Sequence, residues 1–111
     1  MKVQHIDAVA VRGRQHGRSY LEIVRVPALS AGVYQLPAGG DDRQDPHTED
    51  EIYYVVSGRA RLEIDGEEHP VEGGSIAFVP AGARHRFREI SEPLTLLVVF
   101  GPAEYARAAG S

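Results

Sequence analysis

The stretch that decides the fold is DPHTEDE (residues 45–51), which runs directly into the apolar stretch IYYVV (residues 52–56). On an extended strand, side chains an even number of positions apart lie on the same face, so His47 and Glu51 share a face and Asp45 lies on it too. Burying such groups next to an apolar core is costly unless they are paired or bind a metal. The sequence therefore predicts a functional site at this point of the chain.

Composition narrows the classes of protein that fit. The chain has 111 residues, which fits one domain, and carries 12 basic against 16 acidic residues for a net charge of −4. This balance argues against a sequence-independent nucleic-acid binder. With no cysteine, disulfides, thiolate nucleophiles and cysteine-ligated metal sites are excluded. No apolar run reaches the roughly 20 residues of a membrane span, and the N-terminus lacks a signal-peptide pattern, so we expect a soluble cytoplasmic protein.

Outward from the first stretch, the chain alternates between short strand patterns and turn residues. Asp65-Gly66 is a strong signal for a type I′ hairpin, and Pro70 indicates an edge strand. We expect eight to ten short strands, no helix before an Ala-rich tail at 103–109 of one or two helical turns, and an antiparallel sandwich or barrel. The predicted strands are 20–26, 32–36, 51–56, 59–64, 67–71, 75–79, 84–89 and 94–100, with a further short strand at 9–11.

Two spaced motifs resemble those of the cupin superfamily. The first runs from Gly39 to Gly58 and contains the 45–51 stretch, and the second runs from Gly74 through Pro80-Ala81-Gly82 and His85 to residue 89. The resemblance implies an all-β, single-domain cupin jelly-roll β-barrel over 1–111, with motif one at 39–58, motif two at 74–89 and a C-terminal tail at 102–111. The chain departs from the family pattern twice, with Asp45 where the first motif histidine usually stands and Glu89 where an asparagine does.

The resemblance also implies a metal site. In the family, the matching positions bind a divalent metal, which here makes His47, Glu51 and His85 ligands. Asp45 occupies the fourth ligand position, and Gln44 is the alternative if its amide faces inward. Two histidines and one carboxylate with open positions suit one divalent transition metal: Fe, Mn, Ni or Zn.

Other residues are interpreted around this site. Tyr53 and Phe87 share parity with Glu51 and His85, so we expect them beside the metal. Three arginines, Arg84, Arg86 and Arg88, are interpreted as the solvent-facing side of a strand, paired with acids on its neighbour. Glu49 and Asp50 are expected to face solvent or to set the loop.

The opposite face of the strand at 51–56 carries apolar side chains that need cover. They are Ile52, Tyr54 and Val56. Cupins commonly dimerise by packing one sheet on another, so the resemblance predicts a homodimer.

For function, the fold alone does not fix the chemistry. The leading hypothesis is a mononuclear metalloenzyme that acts on a small organic molecule, an oxidoreductase of the dioxygenase kind, with Glu51 as ligand and base. The alternative is redox-neutral metal chemistry in a cyclase, isomerase or lyase. A third class is a non-catalytic small-molecule binding cupin. We expect neither nucleic acid nor membrane as a partner.

Overall fold

The computed structural model describes residues 3–42 and 46–106. In these ranges one helix precedes six strands. They are α1 (Ile6–Gln15), β1 (Tyr20–Val26), β2 (Leu29–Leu36), β3 (Asp50–Ile64), β4 (Glu67–Glu72), β5 (Ile76–Val79) and β6 (His85–Gly101). All pairings between these strands are antiparallel, in the order β1-β2-β6-β3-β4, and β5 pairs with β3. The predicted all-β jelly-roll barrel is confirmed. None of the described residues forms a helix long and apolar enough to cross a membrane.

Two local sequence signals hold in the structure. Asp65 and Gly66 both have positive φ, 48° and 86°, as the central residues of a type I′ turn require. This turn joins β3 to β4, and β4, which contains Pro70, lies at the edge of the sheet. The missing N–H of Pro70 therefore interrupts no central ladder.

The predicted count of eight to ten short strands is wrong, because breaks predicted at turn-like residues are bulges inside longer strands. β3 continues through Ser57-Gly58, and β6 continues through Pro93, with register shifts between the two strands around residues 55–61. Gly58 has a φ of 104°, and a Cβ on it would lie 2.2 Å from the carbonyl oxygen of Pro93. Only glycine permits this close crossing of the two backbones.

The two long strands curl strongly. β3 has 15 residues and would span about 50 Å if straight, at about 3.3 Å per residue. The longest dimension of the molecule is 37 Å. The bulges supply the bending that lets the sheet close on itself.

The prediction of no helix before the tail, with a short strand at 9–11, is wrong. Residues 6–15 form α1, whose first turn is capped by the His5 side chain accepting from the Asp7 N–H at 3.2 Å. The helix buries Val9, Ala10 and Gly13, and the side-chain amide of Gln35 in β2 donates to the Ala10 carbonyl at 2.9 Å. The helix is therefore stabilised more by the tertiary contacts of this one narrow face than by the intrinsic helix propensity of its residues.

The core follows the predicted alternation. In β3, Tyr53 and Val55 are buried while Ile52 and Tyr54 are exposed. On β6, the Arg86 and Arg88 guanidinium groups lie 3.1 and 3.4 Å from the carboxylate of Glu63, which supports the interpretation of this arginine row as a solvent-facing surface.

The chain after β6 turns back towards the barrel. Ala103 is buried, and the Ala106 N–H donates to its carbonyl at 2.9 Å. The rest of the predicted helical tail, from residue 107, lies outside the described residues.

Candidate metal centre

Three side chains from the two motifs meet inside the barrel. His47 precedes β3, Glu51 lies in β3 and His85 begins β6; they are 7, 2 and 6% exposed. Glu51 Oε1 is 3.2 Å from His85 Nε2 and 3.6 Å from His47 Nδ1. One ligand atom from each of the three residues lies within 4.8 Å of the others. The curl of β3 and β6 creates this meeting, because His85 pairs with Ile64 at the far end of β3 from Glu51.

The facing atoms of this cluster lack hydrogen-bond partners. His47 Nδ1, Glu51 Oε1 and His85 Nε2 are three of the four buried side-chain polar atoms that are unpartnered in the described part of the chain. A buried polar group without a partner costs about 1–3 kcal/mol, and a charged one more. A divalent cation would satisfy all three at once, and two imidazoles with a carboxylate are donors that transition metals accept. The residues present therefore fit the metal that the motifs imply.

The outer nitrogen of each imidazole has a partner. His85 Nδ1 lies 3.1 Å from the Ala83 carbonyl oxygen, which can only accept, so this nitrogen carries a proton and the neutral imidazole presents the lone pair of Nε2 to the cluster. His47 Nε2 lies 3.0 Å from Glu104 Oε2. Metal-binding histidines usually donate their second N–H to a carbonyl or carboxylate in this way.

Opposing effects set the proton affinity of His85. Burial disfavours the imidazolium and lowers the pKa, but the close Glu51 carboxylate and the Ala83 carbonyl favour the imidazolium and raise the pKa above its ordinary value overall. The cluster therefore attracts positive charge, whether it comes from a proton or from a metal.

Aromatic rings enclose the site. The Tyr53 ring centroid lies 6.0 Å from that of His85, so Tyr53 lies beside the site as predicted. The Phe87 ring packs against Tyr53 at 4.9 Å, one ring further from the ligands. The His47 ring contacts Phe100 at 4.7 Å and stacks on Tyr105 at 5.4 Å. These rings restrict water and keep the local dielectric low, which strengthens electrostatic interactions in the site.

A phenol hydroxyl is also buried. The Tyr20 hydroxyl is the fourth unpartnered buried atom, and its ring lies directly over Gly32, where a Cβ would be 2.4 Å from the hydroxyl oxygen. Burial, followed by the negative charge of Glu104, raises the pKa of Tyr20 above its ordinary value. The phenol therefore stays protonated and can act as a hydrogen-bond donor.

Sequence reasoning missed the residues that anchor the loop before His47. Asp42 is buried; one carboxylate oxygen accepts from the Tyr34 hydroxyl and the other from the Phe87 N–H, at 2.5 and 2.7 Å. Burial and this hydrogen bond raise the pKa of Tyr34 above its ordinary value. Asp42 thus ties the loop to β2 and to β6 next to His85. Gln44 and Asp45, the predicted alternatives for the fourth ligand, lie outside the described residues.

Sequence reasoning also missed the contribution of the C-terminal segment. Of the two roles expected for Glu49, solvent exposure is wrong and a role in holding the loop fits: Glu49 is buried, and its carboxylate accepts from the Thr48 hydroxyl and, at 2.6 Å, from the Tyr105 N–H. Glu49 precedes β3, so strand alternation does not account for its burial, and its contact with the segment after β6 does. Nothing in the local sequence around Glu104 indicates its contact with His47.

Comparisons with known proteins agree with this geometry. A family profile described as "Cupin domain" matches residues 32–100. The chain belongs to the cupin family. It is 43% identical over 104 residues to an uncharacterized protein of Streptomyces coelicolor, covering 94% of this chain and 99% of that protein.

Two further similar proteins differ in how much of the chain they share. The crystal structure of TT1209 from Thermus thermophilus superposes with a TM-score of 0.73 at 26% identity, covering 93% of this chain and 99% of that one. Polyketide synthase CurC of Streptomyces cyaneus is 38% identical over 47 residues, which are 42% of this chain and 30% of that protein. The S. coelicolor and T. thermophilus proteins are therefore similar to this chain over most of its length, and CurC over less than half.

Proposed function

We propose that this cupin binds one divalent transition metal through His47, Glu51 and His85 and acts as a metalloenzyme on a small organic molecule inside the barrel. The observation that carries the proposal is the convergence of three buried ligand atoms without hydrogen-bond partners. Ion pairs between Glu51 and the two histidines would not by themselves explain this arrangement, because the three facing atoms are oriented so that none of them forms a hydrogen bond.

The leading reaction class is oxygen-dependent oxidation of the dioxygenase kind. Two histidines and one carboxylate with open coordination positions are the ligand set of non-haem Fe(II) oxygenases. When bound, such a metal would supply redox chemistry and Lewis acidity. The protein's own contribution is to hold the imidazole lone pairs inward, to exclude water with Tyr53, Phe87 and Phe100, and to offer Glu51 as ligand and base.

A second candidate is redox-neutral chemistry, such as cyclisation, isomerisation or elimination. The partial similarity to a protein named as a polyketide synthase favours it, because polyketides are rich in carbonyl groups. A Lewis-acidic metal polarises a carbonyl, so that a nearby base removes an adjacent proton. The Tyr20 phenol, whose pKa is raised by burial and by the charges of Glu104 and Glu51, is the candidate donor to such an oxygen.

The fourth ligand also remains a proposal. Asp45 as a ligand would add a second negative charge at the metal, with Gln44 as the neutral alternative. Two carboxylates would favour harder metals and lower the acidity of a bound water. Asp45→Ala with unchanged metal occupancy would remove Asp45 from the ligand set.

Elemental analysis of the untagged protein tests the metal site directly. We expect about one equivalent of Fe, Mn, Ni or Zn, lost in His47→Ala and retained in the control His69→Ala, which removes an exposed histidine on β4. Full metal content in His47→Ala, with retained folding, would refute the assignment. A wild-type protein that holds no metal and gains no thermal stability from added metal would instead favour the non-catalytic binding class.

Activity assays with and without O₂ distinguish the two reaction classes. Turnover of a candidate substrate that needs O₂ and iron would support the dioxygenase proposal. Turnover that continues without O₂ in the zinc-loaded protein would support the redox-neutral candidate. The cytoplasmic location expected from the sequence stays a prediction, which cell fractionation would test.

The exposed face of β3 and β5 supports the proposal of a homodimer. Ile52 pairs with Phe78 and Tyr54 with Ile76 across the two strands, and Phe78 and Ile76 are 58 and 74% exposed. A contiguous apolar patch of this kind is typical of an interaction surface. We expect Phe78→Glu to convert a dimer to a monomer in light scattering, with Val11→Glu on α1 as control. A monomeric wild type would refute the dimer.

A further inference from the structure

We infer that Glu104, outside both motifs, is a positioning residue. It fixes which ring nitrogen of His47 carries the proton, so that this histidine offers Nδ1 to the metal. The inference rests on the proposed metal site and specifies how that site is built. Nothing in the two motifs accounts for the residue, which comes from the segment after β6.

The contact itself determines the direction of the hydrogen bond. Glu104 Oε2 lies 3.0 Å from His47 Nε2, and both side chains are largely buried, at 14 and 7% exposure. A carboxylate only accepts, so Nε2 must carry the proton that is shared. A neutral His47 then has its lone pair on Nδ1, which is the atom that faces Glu51 at 3.6 Å and lacks a partner.

The segment is held by contacts that do not use the Glu104 side chain. The Glu104 N–H donates to Ser30 Oγ at 2.8 Å, and its carbonyl accepts from the Arg25 guanidinium at 2.6 Å. The next N–H, of Tyr105, donates to the Glu49 carboxylate at 2.6 Å. The carboxylate is therefore brought to His47 by a backbone that is already fixed, and a side-chain substitution should leave the segment in place.

The two histidines consequently use opposite nitrogens. His85 gives its Nδ1 proton to the Ala83 carbonyl and presents Nε2, whereas His47 gives its Nε2 proton to Glu104 and presents Nδ1. A carboxylate partner also makes the imidazole a stronger electron-pair donor to the metal, and losing such a partner typically weakens metal binding 10–100-fold.

Glu104 does not fit the role of a further ligand. The described side chains whose ligand atoms all lie within 4.8 Å of one another are His47, Glu51 and His85, and Glu104 is not among them. It lies behind the ring of His47, on the side of Nε2, and so acts through that ring.

The test compares Glu104→Ala and Glu104→Gln with Glu92→Gln, which removes an exposed carboxylate paired with Arg59 on the outer surface. Zn²⁺ affinity is measured by competition with a chelating indicator. We expect Glu104→Ala to weaken binding by about 10–100-fold, Glu104→Gln to weaken it less because its amide oxygen still accepts, and Glu92→Gln to have no effect. Thermal unfolding of each metal-free variant checks folding.

Long-range ¹H–¹⁵N NMR of the histidine rings supplies a readout that does not depend on activity or affinity. In the wild type we expect His47 as the Nε2–H form, with Nδ1 on zinc, and in Glu104→Ala a mixture of the two neutral forms before metal is added. Coordination of wild-type His47 through Nε2, or unchanged affinity in Glu104→Ala, would overturn the inference while leaving the metal site intact. A wild type that takes up no zinc would overturn the proposed function itself, and this inference with it.

Discussion

The crossing of β3 and β6 at Gly58 leads to a prediction that two glycines can test as a matched pair. Gly58 and Gly74 have nearly the same φ, 104° and 97°. A Cβ at Gly74 meets nothing within 4 Å, whereas at Gly58 it would lie 2.2 Å from the Pro93 carbonyl oxygen and 2.8 Å from the Leu94 Cα. Alanine at either position must adopt this positive φ, and only Gly58→Ala adds a clash.

The expected losses of stability differ between the two variants. Forcing an alanine to positive φ costs about 1–2 kcal/mol, so Gly74→Ala should lower the free energy of unfolding by about that amount. At Gly58 the neighbours are backbone atoms that cannot rotate away, and overpacking adds about 1–3 kcal/mol. The difference between the two variants should be about 2 kcal/mol, which corresponds to roughly 8 °C in Tm for a domain near 100 residues.

The assay is urea and thermal denaturation followed by circular dichroism, with EDTA present so that metal binding does not contribute. Gly66→Ala, at a turn position with φ of 86° and open space, is a second control that should resemble Gly74→Ala. Equal losses in Gly58→Ala and Gly74→Ala, within about 0.5 kcal/mol, would show that the close crossing does not constrain the fold.

Three further predictions concern the site. Tyr34→Phe should lower the free energy of unfolding by about 2 kcal/mol, because it removes a buried hydrogen bond to the Asp42 carboxylate, whereas Tyr20→Phe should cost under about 1 kcal/mol, because its hydroxyl has no partner; equal losses in urea denaturation would contradict this. Saturating the wild type with Zn²⁺ at about 100 times Kd should add about 2.7 kcal/mol of stability, and His85→Ala should abolish the gain, as read by the shift in Tm. Because the pKa of His85 is raised in the folded protein, its protonation stabilises the metal-free protein below about pH 6.5, and this stabilisation is lost as the pH rises through the folded pKa. The proton competes with the metal for His85, so the stability gained from Zn²⁺ should be larger at pH 8 than at pH 6. An equal gain at both pH values would contradict the site.

The candidate site was largely predictable because its signal is local. His47 and Glu51 have the spacing of the first motif, although only Glu51 lies in β3 and His47 precedes it. The hairpin at Asp65-Gly66 needs positive φ that few residue pairs supply. The turn residues before His85 place it at the start of a strand. These features depend on neighbours in the sequence, so periodicity and turn chemistry reveal them.

The remaining features depend on tertiary structure. Ser57-Gly58 has the composition of a turn, but the chain bulges there because β6 crosses it, and one long strand results. The helix α1 has a histidine in place of the usual Ser, Thr, Asp or Asn cap, so its start is not signalled. Glu104 contacts His47 only because the chain turns back after β6, which no local pattern encodes.

The curl of β3 and β6 also has a mechanical consequence. Glu51 and His85 belong to opposite ends of one hydrogen-bonded ladder, yet their side chains are 3.2 Å apart. A metal shared by them would work as a removable cross-link across the sheet, comparable in principle to a disulfide that closes a long loop and adds on the order of 4 kcal/mol. Flattening either strand would pull the two ligands apart, so opening of the barrel would release the metal. A small molecule would then have to reach the site without straightening these strands.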